Sequence, residues 1–195
     1  MYQLKDKEMI FVFTGPDGSG RKTVADMVGT TLGIKKVLSY TTRAPRSGEV
    51  DGQDYHFISV EAFVEARHQG EFIEAVVING AYYGIKNKDI EEIFKRKKFI
   101  YLILNAQGAK ILKDLYGDKV TRVFIYVDKQ TIIERQKKAG ASARLIDQHI
   151  SHYDEDMSYM AECKHSVENI DLAHTVFSVS NILELYMNRN LVDKD

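Results

Sequence analysis

Cysteine, proline and net charge are all scarce in this chain of 195 residues, and each scarcity excludes something. The single cysteine, Cys163, rules out an internal disulfide framework and fits a reducing, cytoplasmic compartment. Lysine and arginine total 27 against 28 aspartates and glutamates, a net charge of -1. No overall field therefore steers the chain toward nucleic acid or anionic lipid, and any anion site must be local. No apolar run approaches the roughly 20 residues that span a bilayer, and Met1 to Glu8 is too polar for a secretion signal. A cytoplasmic protein is expected, with neither nucleic acid nor membrane as partner. The only prolines, Pro16 and Pro45, both lie in the first quarter of the chain, beside its most motif-like residues.

What is present begins at Phe11-Val12-Phe13-Thr14-Gly15-Pro16-Asp17-Gly18-Ser19-Gly20-Arg21-Lys22-Thr23. This reads as a short apolar strand, a glycine-rich turn, and basic and hydroxyl residues opening a helix, the layout of a phosphate-binding P-loop. Gly15 and Gly20 have the spacing of that motif. Arg21 takes its lysine position and Lys22 its hydroxyl position. Backbone N–H groups at the helix start still suit an anion, whereas Asp17 places a negative charge in the turn unless Arg21 or Lys22 neutralises it. A loop shifted by one residue would let Lys22 replace the lysine and Thr23 supply a metal-binding hydroxyl.

Short continuous apolar runs at Met9 to Phe13, Phe99 to Leu104, Val123 to Val127 and Thr175 to Val179 suit buried parallel strands. Helical patterns over Thr23 to Leu32, Asp89 to Arg96, Ala106 to Tyr116, Thr131 to Lys138, Leu145 to Cys163 and Ser180 to Asn188 alternate with them. That alternation predicts an α/β fold. Between Lys35 and Tyr83 glycines punctuate short segments, a texture that reads as a small, partly antiparallel insertion. A polar helical excursion follows around Arg135 to Asp156.

The segment Ser39-Tyr40-Thr41-Thr42-Arg43-Ala44-Pro45-Arg46, continuing through Gly48-Glu49, Gly52 and Tyr55-His56-Phe57, resembles the guanylate kinase family. Phe72-Ile73-Glu74 and Tyr82-Tyr83-Gly84 match at the family's spacing. The resemblance covers most of the chain and is densest from Gly15 to Gly84. It implies a P-loop NTPase fold: a three-layer α/β/α core with a mainly parallel sheet, a β-rich insertion for the nucleoside monophosphate, and a helical lid. The implied division is a single domain with core 1–34, 88–130 and 157–195, insertion 35–87 and lid 131–156. GMP, or a related purine nucleotide, is the implied ligand, held by Ser39, Arg43, Arg46, Tyr55, Glu74 and Tyr83. The chemistry suits it, because two guanidinium forks can clamp one phosphate. An acceptor-only carboxylate at Glu74 matches the N1–H and exocyclic amine of guanine. Gly15, Gly18, Ser19, Gly20, Arg21, Lys22 and Thr23 are the implied ATP-phosphate loop, with Mg2+ on Thr23 and with Arg21, Lys22 and Arg135 as catalytic cations.

Departures from the family pattern cluster on the donor side. After the Phe99 strand the family's two acidic residues are replaced by Ile103 and Asn105, while Gln107-Gly108 keep the register. Ala139-Gly140 stands where the family has Arg-Gly, and His149 falls near another arginine position. Ile85 replaces a hydroxyl residue beside the base. Two readings follow. One is ATP-dependent phosphorylation of GMP or dGMP, weak or altered. The other is a catalytically impaired relative that binds GMP, or a phosphorylated protein partner, without phosphoryl transfer. A homodimer is compatible with either.

Overall fold

Residues 9–14 form an extended run because every side chain in it is buried, and they build the central strand β1 (Met9–Thr14). The computed structural model describes residues 1–192, with side chains as far as Met187. Residues 193–195, which the sequence assigns to the core, lie outside the described residues. After β1 come α1 (Arg21–Leu32) and β2 (Lys35–Lys36), then β3 (Tyr40–Thr41), β4 (His56–Phe57), α2 (Val60–His68), β5 (Phe72–Ile78) and β6 (Ala81–Lys86). The chain continues through α3 (Asn87–Phe94), β7 (Phe99–Ile103), α4 (Ala106–Tyr116), β8 (Val120–Tyr126) and α5 (Lys129–Lys138). It ends with α6 (Ala143–Ser151), α7 (Tyr153–Ser158), β9 (His165–Glu168) and α8 (Leu172–Val192).

The main sheet has five parallel strands in the order β2-β7-β1-β8-β9. Side chains alternate across it with the period of two that a pleated strand imposes. Ile10, Val12, Ile100, Leu102 and Phe124 enter one apolar cluster beneath α3 and α4. Phe11, Phe13, Tyr101, Val123 and Ile125 enter another, shared with Val24 and Val28 of α1 and with Val179 and Leu183 of α8. Covered on both faces, the strands are the continuous apolar runs expected of a three-layer α/β/α core. The predicted α/β fold with a mainly parallel sheet is the one observed. The remaining four strands form a second, small sheet in the order β4-β3-β6-β5, with antiparallel β3–β6 and β5–β6 pairs. Lys35–Lys36 pair with β7, so the main sheet takes in two residues that the sequence division gives to the insertion.

Three readings need correction. Thr175 to Val179 is helix, not strand. Thr175, Val179 and Leu183 are buried at four-residue intervals, while Phe177 between them is 64% exposed, so the period is helical. The fifth strand is instead β9, whose His165 and Val167 are half-buried and whose Ser166 and Glu168 are exposed. It lies at the sheet edge, where a continuous apolar run is not needed. The helix expected over Leu145 to Cys163 breaks at His152 and ends in a 3-10 turn at Tyr159–Glu162. Within the insertion the sequence reading also passed over α2, which Ser59 caps by accepting the Ala62 N–H at 3.1 Å. Its Phe63 stacks on Phe72 and Tyr82, which pins the helix to the small sheet. Among the described residues no helix is long and apolar enough to cross a membrane.

Candidate functional site

The small sheet faces the C-terminal ends of β1 and β7 across a cavity of about 300 Å³. Ser39, Arg43, Arg46, Tyr55, Glu74 and Tyr83, the residues implied to hold GMP, all line it. At one end Glu74 on β5 is only 3% exposed, and its Oε1 has no hydrogen-bond partner. Burial pushes its pKa up to about 8. A buried acceptor without a donor is costly in an empty site and suited to one filled by a ligand carrying N–H groups. The first turn of α4 closes this end. Asn105 caps that helix by accepting the Gly108 N–H at 2.9 Å, so the oxygen that the sequence offers to a ligand is already engaged.

Gly108 itself is a close-approach glycine. A Cβ there would stand 2.6 Å from Glu74 Oε1, the movable end of that side chain. Gly108→Ala is therefore expected to displace the carboxylate with little loss of fold. Thermal denaturation should shift by no more than a few degrees, while GMP affinity measured by calorimetry falls at least about tenfold. An unchanged affinity would mean that the position of Glu74 does not matter to the ligand.

At the other end four groups gather as an anion site. Arg43 forms a bidentate ion pair with Glu49 at 2.9 Å, donates from Nε to the Tyr83 hydroxyl at 3.1 Å, and donates to the Ala44 carbonyl at 2.7 Å. Its guanidinium lies over the Tyr55 ring at 5.4 Å. Of its five N–H groups one on Nη2 remains, so Arg43 offers an incoming phosphate a single bond rather than the fork that the sequence suggests. The Tyr83 hydroxyl, accepting from Arg43, keeps its own proton to donate. Burial raises the Tyr55 pKa, which keeps that hydroxyl a donor too. Arg46 is exposed, and among the described residues its side chain makes no hydrogen bond or ion pair. It is the uncommitted cation of the set. Ile85, expected beside the base, does not line the cavity; it is fully buried in the apolar cluster behind β6.

The glycine-rich loop follows β1 directly. Gly15, Gly18 and Gly20 all have positive φ, and a Cβ at Gly15 would lie 2.0 Å from the Ile125 carbonyl oxygen of β8. Gly20 is the N-cap of α1 and makes no side-chain cap, leaving the helix start open to an anion. The charges around it are self-paired. Arg21 bonds Asp17 at 2.6 Å and donates to the Gly15 carbonyl, so Arg21 neutralises Asp17. Lys22 does not swing into the loop. Its Nζ stands 3.1 Å from Asp26 and 3.1 Å from Asp54. Thr23 is exposed on α1. Ser19 is buried beneath the Asn169 side chain, which donates to the Ser19 carbonyl at 2.8 Å. Helix α5 roofs the loop: a Cβ at Gly18 would lie 2.2 Å from Gln136 Nε2, an amide nitrogen with no hydrogen-bond partner.

Arg135 on the same helix donates to the Ile170 carbonyl at 2.9 Å and does not line the cavity. Instead α7 presents Glu155 and Asp156 to the cavity, beside His152. Burial, opposed by Arg21 and reinforced by Asp17, pushes the Asp156 pKa up to about 6. His149 contacts Gln136 at 3.1 Å, and burial lowers its pKa, so it supplies no cation at neutral pH. In the sequence these residues read only as part of a polar helical excursion. His149, His152 and Asp156 fall at i, i+3 and i+7 beside the inward Ile146, Ile150 and Tyr153, and that spacing was the available signal.

The implied metal fits poorly. Lys22 occupies the hydroxyl position, Thr23 is exposed, and no group of three or more His, Cys, Asp or Glu among the described residues could hold a metal ion. The ATP phosphates fit better, through the glycine backbone and the open start of α1.

A family model described as guanylate kinase matches residues 7–186, nearly the whole chain. The chain belongs to the guanylate kinase family. A guanylate kinase of Chlorobaculum tepidum is 34% identical over 182 residues, spanning 91% of this chain and 93% of that protein. One from Methylobacillus flagellatus is 29% identical over 180 residues, 91% of this chain and 89% of the relative. Among solved structures, guanylate kinase from Anaplasma phagocytophilum superposes with a TM-score of 0.73 at 25% identity. That match covers 94% of this chain and 88% of the other. Kinase, transferase and nucleotide-binding character come with the family.

Proposed function

We propose that this member of the guanylate kinase family binds GMP or dGMP in the described cavity and phosphorylates it slowly from ATP, giving GDP and ADP. The observation that carries the reading is the buried, unpartnered Glu74 carboxyl at one end of a cavity whose other end gathers Arg43, Arg46, Tyr55 and Tyr83. Glu74 and Ser39 take the guanine edge. Arg46, the remaining Arg43 N–H and the two tyrosine hydroxyls take the phosphate. A phosphate oxygen of GMP then attacks the γ-phosphorus of ATP, whose phosphates lie on the backbone of Gly15, Gly18 and Gly20.

The slow rate follows from what surrounds the transferring group. Arg21 lines the cavity but is tied to Asp17, Arg135 is tied to Ile170, and Asp156 adds a negative charge. Phosphoryl transfer depends on positioned cations, and one arginine is worth roughly 10³ to 10⁵ in rate. Magnesium would have to arrive with ATP to supply phosphate charge neutralisation, because no group of acidic, His or Cys side chains among the described residues is placed to hold it.

A second reading has support in the Asp17–Arg21 pair, which closes the loop on itself: a domain that binds GMP, or a phosphorylated partner through Arg46, with no transfer. The test is ADP release with GMP and Mg-ATP at micromolar protein, alongside GMP calorimetry. We expect GMP binding and a turnover about 10³-fold below the ~10 s⁻¹ of ordinary enzymes. Binding with no turnover above the blank establishes the second reading. Absence of GMP binding refutes the first reading and leaves of the second only the phosphorylated partner.

A further inference from the structure

Lys22 stands where a P-loop has its hydroxyl, yet its ammonium leaves the loop altogether. It lies between two carboxylates, Asp26 one helical turn on and Asp54 of the insertion, each at 3.1 Å. Asp26 is anchored in turn. It accepts from the Tyr101 hydroxyl at 2.9 Å and pairs with Lys36 at 3.2 Å, both in the main sheet. On the far side, Asp54 accepts the Val50 N–H at 2.9 Å, and the Gly52 N–H bonds the Tyr55 carbonyl at 2.8 Å. The loop that carries Asp54 is therefore stiff. The residue after Asp54 is Tyr55, whose ring lies under Arg43 and edge-on to Tyr83, with centroids 6.0 Å apart.

We propose that Lys22 is a positioning residue for the monophosphate pocket: in place of a donor-loop hydroxyl it provides a clasp to Asp54, which holds Tyr55, and with it the Arg43 end of the cavity, against α1. An unbroken line of bonds then runs from the main sheet through Asp26, Lys22 and Asp54 to a side chain in the cavity wall. One side chain links the altered donor loop to the intact acceptor pocket. This rests on the proposed reading of the cavity as a GMP site. Lys22 is half exposed and Asp54 is 18% exposed, so the clasp is screened by salt and modest in strength.

The test uses spin labels at Thr30 of α1 and Glu61 of α2, both exposed, in a Cys163→Ser background. Without nucleotide, Lys22→Ser and Asp54→Asn should each broaden and lengthen the label distance, and Lys22→Arg should restore it. GMP affinity of the unlabelled variants should fall about two- to fivefold, the range of an exposed ion pair. The double variant should lose no more than either single one, which is the mark of a shared interaction. Unchanged distances, or additive losses, overturn the clasp. Longer distances with unaltered GMP affinity overturn its role in the pocket. If the distances respond but no form of the protein binds GMP, the clasp stands and the GMP reading fails.

Discussion

Glu74→Gln is expected to weaken GMP binding about 100-fold and to abolish a pH dependence of both binding and stability. Guanine presents two donors, N1–H and the exocyclic amine, and a carboxylate accepts both, whereas an amide accepts one and sets its own NH2 against the other. Each charge-assisted bond is worth about 1.5–3 kcal/mol. In the empty cavity Glu74 holds its proton until about pH 8. Accepting two N–H groups requires the ionised form, so GMP binding releases that proton. Affinity should rise almost tenfold per pH unit up to about pH 8 and level off above it. Calorimetry between pH 6 and 9 reads this directly, and Glu74→Gln supplies the baseline for titration of the GMP phosphate itself. Stability runs the other way. The folded protein keeps a proton that the unfolded chain releases near the ordinary glutamate pKa. The contribution is complete below about pH 4.5, declines as pH rises, and is gone by about pH 8. Glu74→Gln should lose that slope in thermal denaturation and melt higher than the parent at pH 8. A parent affinity that is flat from pH 7 to 9 would contradict the burial of an unpartnered carboxyl.

Arg21→Lys combined with Lys22→Ser should move kcat and KM in opposite senses of merit. A loop lysine frees Asp17 from its bidentate-capable partner and returns a compact cation to the ATP phosphates. Serine at position 22 restores a hydroxyl. Turnover is expected to rise about 100-fold, the scale of one preorganised electrostatic contact. The same Lys22→Ser change breaks the bond to Asp54, so KM for GMP should increase two- to fivefold. Steady-state kinetics with each substrate varied separates the two effects. A double variant with unchanged kcat would place the limiting defect at Asp156, Arg135 and His149 rather than in the loop.

Much of this was legible in the sequence, for identifiable reasons. Buried parallel strands advertise themselves as apolar runs, so β1, β7 and β8 were readable. The ordered set from Ser39 to Tyr83 was readable because its residue types match a phosphate and a guanine edge. Thr175 to Val179 misled because five residues are too few to separate a period of two from one of 3.6. The edge strand β9 hid behind its alternation of half-buried and exposed residues. In the site, what escaped was pairing rather than identity. Nothing in the order of residues says that Glu49 would occupy the Arg43 fork, whereas the Asp17–Arg21 spacing and the place of Asn105 just before a helix were local signals of their pairing. The partners of Lys22 and Arg135, Asp54 and the Ile170 carbonyl, are brought within about 3 Å by the tertiary structure, and local pattern carries no record of that.

The contact between Gly15 and the Ile125 carbonyl has an evolutionary consequence. With a Cβ position only 2.0 Å from that oxygen, the start of the loop is locked in register with β8. Sliding the chain by one residue would bring Thr14 or Pro16 to a place that accepts no side chain. Lys22 and Thr23 therefore cannot take over as lysine and hydroxyl through a slip of the loop start against β8. A lineage carrying this chain could regain a standard donor loop by losing Arg21, through deletion or exchange, and by giving up Lys22 at its present place. The first of those frees Asp17 and the second releases Asp54, so each step back toward ATP disturbs an ion pair already in use.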